Sequence, residues 1–229
     1  MTQLTWLITG CSSGFGEELI LSVLARGDRA IATTRGSTDR IQHLKDAGAA
    51  TMSLDVTDSQ AKLDAKVQEA LKIYDGIDVL INNAGKVRLA QAHIVWENLE
   101  WKCLQKETSQ FGIRTVIIEP GYYSYRTKVY SEANVKWEPL SIPEYEPTQT
   151  ALKGMVKAVD GNQPGDPKKA AERIIDIVRR EGLAAGKETP LRLSLGPDCL
   201  QQIKDKCLST LKILEDWEEL IHSTNLDGK

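Results

Sequence analysis

The 229-residue chain has little of what metal centres and disulfide frameworks are built from: four scattered cysteines (Cys11, Cys103, Cys199, Cys207), three histidines and no Cys-x-x-Cys pair. Neither a zinc site nor a disulfide scaffold is suggested, and reduced thiols in a cytoplasmic setting fit this usage. It has no run of about 18 apolar residues. Its opening stretch, MTQLTWLITG, has neither a basic leader nor an apolar signal core. The chain therefore reads as soluble and unexported, with no membrane partner. An excess of one charge is missing too. The formal net charge is −3, and the densest basic pairs, Lys168-Lys169 and Arg179-Arg180, read as solvated helix faces, so no nucleic-acid partner is expected. Two local absences matter more. No tyrosine lies between Tyr74 and Tyr122, and the only serine between Gly85 and Pro120 is Ser109.

What is present is an alternation of strand and helix signals over the first 85 residues. LTWLITG is an apolar run closed by glycine, and GEELILSVLARGD follows with Leu19, Ile20, Val23 and Leu24 at helical spacing. RAIATTR, ATMSLDV and IDVLINNAG read as three further strands. STDRIQHLKDAGA, with Ser37 and Thr38 as caps, and TDSQAKLDAKVQEALKIYDG, with Leu63, Val67 and Leu71 on one stripe, read as the helices between them. Unalternating apolar strands joined by helices predict a doubly wound, mostly parallel α/β sheet of Rossmann-like form, in a single domain over residues 1–229. Beyond Gly85 a helix over roughly 92–107 precedes the strand RTVIIEP. Residues 122–150 read as a long, lid-like loop. A helix opening on Asp166-Pro167, the strand PLRLSL and a final helix capped at Asp198 or just before complete the order.

The first strand-to-helix turn is Thr9-Gly10-Cys11-Ser12-Ser13-Gly14-Phe15-Gly16. Glycines there let the backbone turn sharply and approach a diphosphate, and the free N–H groups of the following helix favour negative charge. The alternative is a tight turn that only packs helix on strand. Strand two ends in Thr33-Thr34-Arg35 with no acid to take ribose hydroxyls, so Arg35 as a 2′-phosphate contact favours NADP over NAD; a plain surface arginine is the competing reading. Asp55, after strand three, either meets an adenine amino group or caps the next helix.

TGCSSGFG, LDVTD, NNAG and VIIEPG, in this order on alternating elements, resemble the short-chain dehydrogenase/reductase family, closely over residues 4–85 and more loosely from 111 to about 220. The resemblance implies an NADP(H)-dependent oxidoreductase acting on a small alcohol or carbonyl substrate. It places Gly10, Ser12, Ser13, Gly14, Phe15 and Gly16 around the diphosphate and Arg35 at the 2′-phosphate. Asp55 and Val56 fall at the adenine, Asn82, Ala84 and Gly85 on the ribose side, Pro120 and Gly121 at the nicotinamide, and Thr127 against the cofactor.

In that family a serine and a Tyr-x-x-x-Lys pair supply the proton to the carbonyl oxygen, from the interval between NNAG and FGIR. Here the interval 86–114 has room for one helix, whereas a further strand with two crossovers needs units of about 30 residues each. No Tyr-x-x-x-Lys occurs anywhere in the chain, and LEWKCLQKETSQFGIRT resembles only the later half of the family's catalytic helix. The expected sheet therefore lacks about one strand and portions of two helices, and no catalytic residue is identified. Tyr122, Tyr123 and Tyr125, in the loop after Gly121, are the substitutes within reach of the site. Two further readings stand beside the oxidoreductase: a non-catalytic NADP-binding protein with a regulatory or partner-binding role, and a splice form or gene-model product of a longer enzyme. Substrate and oligomeric state are not legible.

Overall fold

The computed structural model describes residues 2–85, 88–89, 99–123, 136–137, 139, 142–159 and 162–226. They form two compact units, Met1–Asn98 with Tyr123–Thr189 and Leu99–Tyr122 with Pro190–Lys229.

The first unit is built on β1 (Thr5–Ile8), β2 (Arg29–Thr34), β3 (Ala50–Ser53) and β4 (Val79–Ile81), all parallel in the order β3-β2-β1-β4. The intervening helices are α1 (Phe15–Ala25), α2 (Gln42–Asp46), entered through a 3-10 turn at Thr38–Ile41, and α3 (Gln60–Leu71). Ser37 caps that turn as the sequence predicts, its hydroxyl accepting from Asp39 N–H. A short pair, β5 (Arg88–Leu89) with β7 (Lys136–Trp137), and helices α5 (Glu146–Val159) and α6 (Pro167–Arg179) complete the unit. Asp166 caps α6, accepting from the main-chain N–H groups of Lys168 and Lys169, with Pro167 just inside.

The two faces of the four-stranded sheet are covered unequally. On one, Trp6, Ile8, Ala30 and Ala32 are fully buried, and α6 packs along α1. An ion pair locks α6 there. Asp28, buried at the turn into β2, accepts from Trp6 Nε1 (2.9 Å), Leu4 N (3.0 Å) and Arg179 Nε of α6 (3.1 Å). On the other face Leu7, Ile31 and Met52 form a core cluster with Ala70 of α3. That cover stops at β4. Leu80 stands in register with Leu7, hence on the same face, yet is 55% exposed.

Of the Leu63, Val67 and Leu71 stripe, Leu63 and Leu71 are half-buried and Val67 is exposed. Ala70 alone is buried in α3, and Val67 is 45% exposed. The stretch read as a loop to Thr150 also ends sooner. A 3-10 turn at Pro143–Tyr145 leads into α5 at Glu146, where Leu152, Met155, Val156 and Val159 recur at helical spacing.

The second unit holds α4 (Leu99–Ser109), β6 (Ile117–Pro120), β8 (Arg192–Leu195), α7 (Pro197–Asp216) and α8 (Glu218–His222), with β6 parallel to β8. None of its described residues is buried. The strands that the sequence makes successive across the short interval each have one described partner, β1 for β4 and β8 for β6. No helix among the described residues is long and apolar enough to cross a membrane.

Candidate functional site: the glycine turn and its asparagine lock

The glycine turn runs from the end of β1 into α1. Gly10 and Gly14 hold left-handed backbone (φ 71° and 68°), conformations that side-chain-bearing residues rarely adopt. Space imposes the same choice. A Cβ on Gly10 would lie 2.9 Å from Ala84 Cα, and one on Gly16 would lie 2.5 Å from the Gly10 carbonyl and 2.7 Å from Asn83 Nδ2. Gly14 is the N-cap of α1 and offers no side-chain cap, so the first N–H groups of this 11-residue helix are left for another acceptor.

The turn is held from β4. Asn83 Nδ2 donates to the carbonyls of Thr9 (2.9 Å) and Gly10 (3.1 Å), while Thr9 Oγ1 accepts from the main-chain N–H groups of Asn83 and Ala84 (both 2.9 Å). The TGCSSGFG and NNAG segments are thus one hydrogen-bonded assembly. The residues that join them, Thr9 and Asn83, were not among the predicted site residues. Their signal was the Thr immediately before Gly10 and the second Asn of the tetrapeptide. Asn82, Ala84 and Gly85 are exposed beside the lock. Cys11 is buried under the turn, its thiol donating to the Ile8 carbonyl (3.1 Å), and burial pushes its pKa up to about 12.

Arg35 is exposed at the end of β2, next to Thr34, whose Oγ1 is buried without a hydrogen-bond partner among the described residues. Asp55 lies two residues past β3 and is occupied locally. Its Oδ1 accepts from Thr57 Oγ1 (2.7 Å) and Thr57 N (3.0 Å), and these bonds hold its carboxyl below the usual range. The N-cap of α3 is Ser59, so Asp55 shapes the turn rather than capping the helix. Val56 beside it is exposed. Phe15 makes an edge-on contact with the buried Tyr123 ring (centroids 4.9 Å apart, 73° between planes). Tyr123, one of the three tyrosines considered as substitutes, is therefore a packing partner of the turn.

Within the second unit Pro120 ends β6, and Gly121 N donates to the Leu195 carbonyl (2.8 Å). The following N–H, of Tyr122, donates to Asp198 Oδ2 (2.7 Å). A Cβ on Gly121 would collide with that carboxylate. Asp198 does not cap α7, whose N-cap is Gly196 with Pro197 inside; it holds the Pro120-Gly121-Tyr122 backbone instead. Thr127 and Tyr125 lie outside the described residues. Among the described residues no group of three His, Cys, Asp or Glu side chains is placed to hold a metal.

The profile of the short chain dehydrogenase family matches residues 5–102. An oxidoreductase of Botryotinia fuckeliana, BOA17, is 25% identical over 281 residues, covering 96% of this chain and 98% of the relative. A probable NADP-dependent dehydrogenase of Dichelobacter nodosus is 44% identical over 89 residues, covering 38% of this chain and 81% of that protein. Among solved structures, a short-chain dehydrogenase from Streptomyces avermitilis is similar over 98% of this chain and 99% of its own, with 25% identity and a TM-score of 0.77.

Proposed function

The chain belongs to the short-chain dehydrogenase family, and on that premise we propose that it is a cytoplasmic NADP(H)-binding oxidoreductase domain whose proton-transfer machinery has been lost. The observation that carries this reading is the coexistence of a complete glycine turn and its Asn83 lock with a chain that has no Tyr-x-x-x-Lys. The alignment to BOA17 supports it: 281 positions against 229 residues means that the relative carries residues this chain does not.

The residues present fit a dinucleotide. Gly10 and Gly16 let the turn close against Ala84 and Asn83, Ser12, Ser13, Gly14 and Phe15 complete the same turn, and the uncapped N–H groups of α1 suit a diphosphate. Arg35, exposed at the end of β2, would take a 2′-phosphate. NADP rather than NAD follows from Arg35 and from the lack of an acid at the end of β2; the Dichelobacter relative and an NADPH-dependent reductase of Schizosaccharomyces pombe bear names that agree. Asp55 and Val56 would border the adenine, Asn82, Ala84 and Gly85 the ribose, and Pro120, Gly121 and Thr127 the nicotinamide. Bound NADPH supplies a hydride. Reduction of a carbonyl also needs a proton at its oxygen, which positioned acids accelerate by roughly 100- to 10,000-fold.

The test is NADPH oxidation by the purified chain against a panel of ketones and aldehydes. Turnover at background is expected. Robust turnover that Tyr122→Phe or Tyr125→Phe abolishes would overturn the loss of catalysis.

A further inference from the structure

Arg35 shares the end of β2 with a second arginine. Gly36, in left-handed backbone (φ 82°), turns the chain sharply after the strand, and the 3-10 turn Thr38–Ile41 follows at once. Ser37 and Asp39 fix that turn. Asp39 N donates to Ser37 Oγ (3.2 Å), and the Ser37 hydroxyl donates to Asp39 Oδ2 (2.8 Å). Residue 40 is thereby returned to the strand end, where Arg40 Nη1 donates to the main-chain carbonyl of Arg35 (3.3 Å). Both arginines are exposed. The head group of one rests on the backbone of the other.

Their charges are not answered within the described residues. Arg26, Arg173 and Arg179 each pair with a carboxylate, on Asp176 and Glu181, on Asp176 and on Asp28 respectively. Neither Arg35 nor Arg40 has an ion-pair partner among the described residues, and the acids nearby in sequence and on the neighbouring strand are spent elsewhere. Asp39 is bonded to Ser37, and Asp55 accepts from Thr57 N and Oγ1. Two like charges held in one corner repel each other until a ligand with more than one negative charge joins them. A phosphate monoester fits that demand. It carries about −1.5 to −2 charges at pH 7 and three acceptor oxygens, enough for two guanidinium groups at once. The bond to the Arg35 carbonyl spends one N–H of Arg40 and leaves the rest of its planar fork available.

We propose that Arg40 is a second phosphate-binding residue, which contacts the 2′-phosphate of NADP(H) together with Arg35 and is held in place for it by the Arg35 carbonyl. The proposal rests on the NADP reading above and adds to it a residue outside β2. The test is fluorescence titration of the full chain with NADPH and NADH, and displacement of NADPH by 2′,5′-ADP. Arg40→Gln is expected to weaken NADPH and 2′,5′-ADP about tenfold, to leave NADH binding unchanged and to keep the thermal midpoint, since the side chain is exposed. Arg40→Lys, which keeps the charge and loses the fork, recovers part of the loss. Arg35→Gln combined with Arg40→Gln binds NADPH and NADH alike. A loss that falls equally on NADPH and NADH marks a merely structural role and overturns the proposal. So does an unchanged NADPH affinity in Arg40→Gln beside a wild type that prefers NADPH, an outcome that leaves the NADP reading standing. A wild type with no preference for NADPH removes that reading and this proposal with it.

Discussion

Asn83, on the segment after β4, holds the nucleotide turn after β1 by two bonds from one amide group, to the carbonyls of Thr9 at 2.9 Å and Gly10 at 3.1 Å. Residues 73 and 74 positions apart in sequence thereby fix the geometry of a single loop. Net hydrogen bonds are worth about 1 kcal/mol each, and stranded buried acceptors cost about 1–3 kcal/mol. Asn83→Ala is therefore expected to cost about 2–3 kcal/mol in urea unfolding and to weaken dinucleotide binding beyond the loss of folded protein. An unchanged midpoint would remove the lock from the account.

Gly16 and Gly36 separate steric from conformational demands on glycine. Gly36 has open space around its Cβ direction but a φ of 82°, so Gly36→Ala should cost only about 1 kcal/mol or slightly more. At Gly16 an added methyl meets the Gly10 carbonyl at 2.5 Å, so Gly16→Ala should displace the turn, costing about 3 kcal/mol and abolishing dinucleotide binding. Thermal melts of the two variants give the comparison.

Cys11 predicts an alkaline signature. Its thiol stays neutral in the folded chain to about pH 12, whereas the ordinary value is 9.0. A folded-state pKa raised in this way contributes stability that is fully present below pH 9 and is lost as pH rises toward 12. The loss runs at up to about 1.4 kcal/mol per pH unit. Cys11→Ala should flatten that part of the stability–pH curve relative to wild type, measured by urea unfolding at pH 8, 9 and 10. Equal slopes in the two chains would show that the thiol is not the group responsible.

Leu80 and Val67 mark a sheet side that ends before its strands do. Among the described residues of the first unit β4 ends the sheet, and an apolar side chain exposed at such a strand invites association. Leu80→Thr with Val67→Lys is expected to raise the solubility limit several-fold while shifting the unfolding free energy by less than about 1 kcal/mol. A large destabilisation would mean that these side chains are covered in solution.

Much of the first unit was legible because its signals are local. Alternating apolar strands and helices, Ser37, Asp166-Pro167 and the glycine turn are each set by residues within a few positions of one another. The α3 stripe is covered only in part, with Leu63 and Leu71 half-buried and Val67 exposed, because the helix meets the sheet mainly through Ala70. The start of α5 was hidden by prolines at 143 and 147 that suit a helix entry as well as a loop. Asn83 and Asp198 were missed for another reason: each acts on backbone 73 or more positions away, and no local pattern announces such a bond.

Arg35 sets the cofactor preference proposed here. Charge-assisted bonds to a phosphate are worth about 1.5–3 kcal/mol, so Arg35→Asp is expected to weaken NADPH binding roughly 10- to 100-fold and to leave NADH binding equal or improved. Fluorescence titration of the variant against wild type reads this out.

Persistence of the nucleotide site in a chain without the acid catalyst is read out by calorimetric titration of the folded 229-residue chain with NADPH and with NADH. Saturable one-to-one binding is expected, at least about tenfold tighter for NADPH. Absence of saturable binding for both, or tighter binding of NADH, would contradict it.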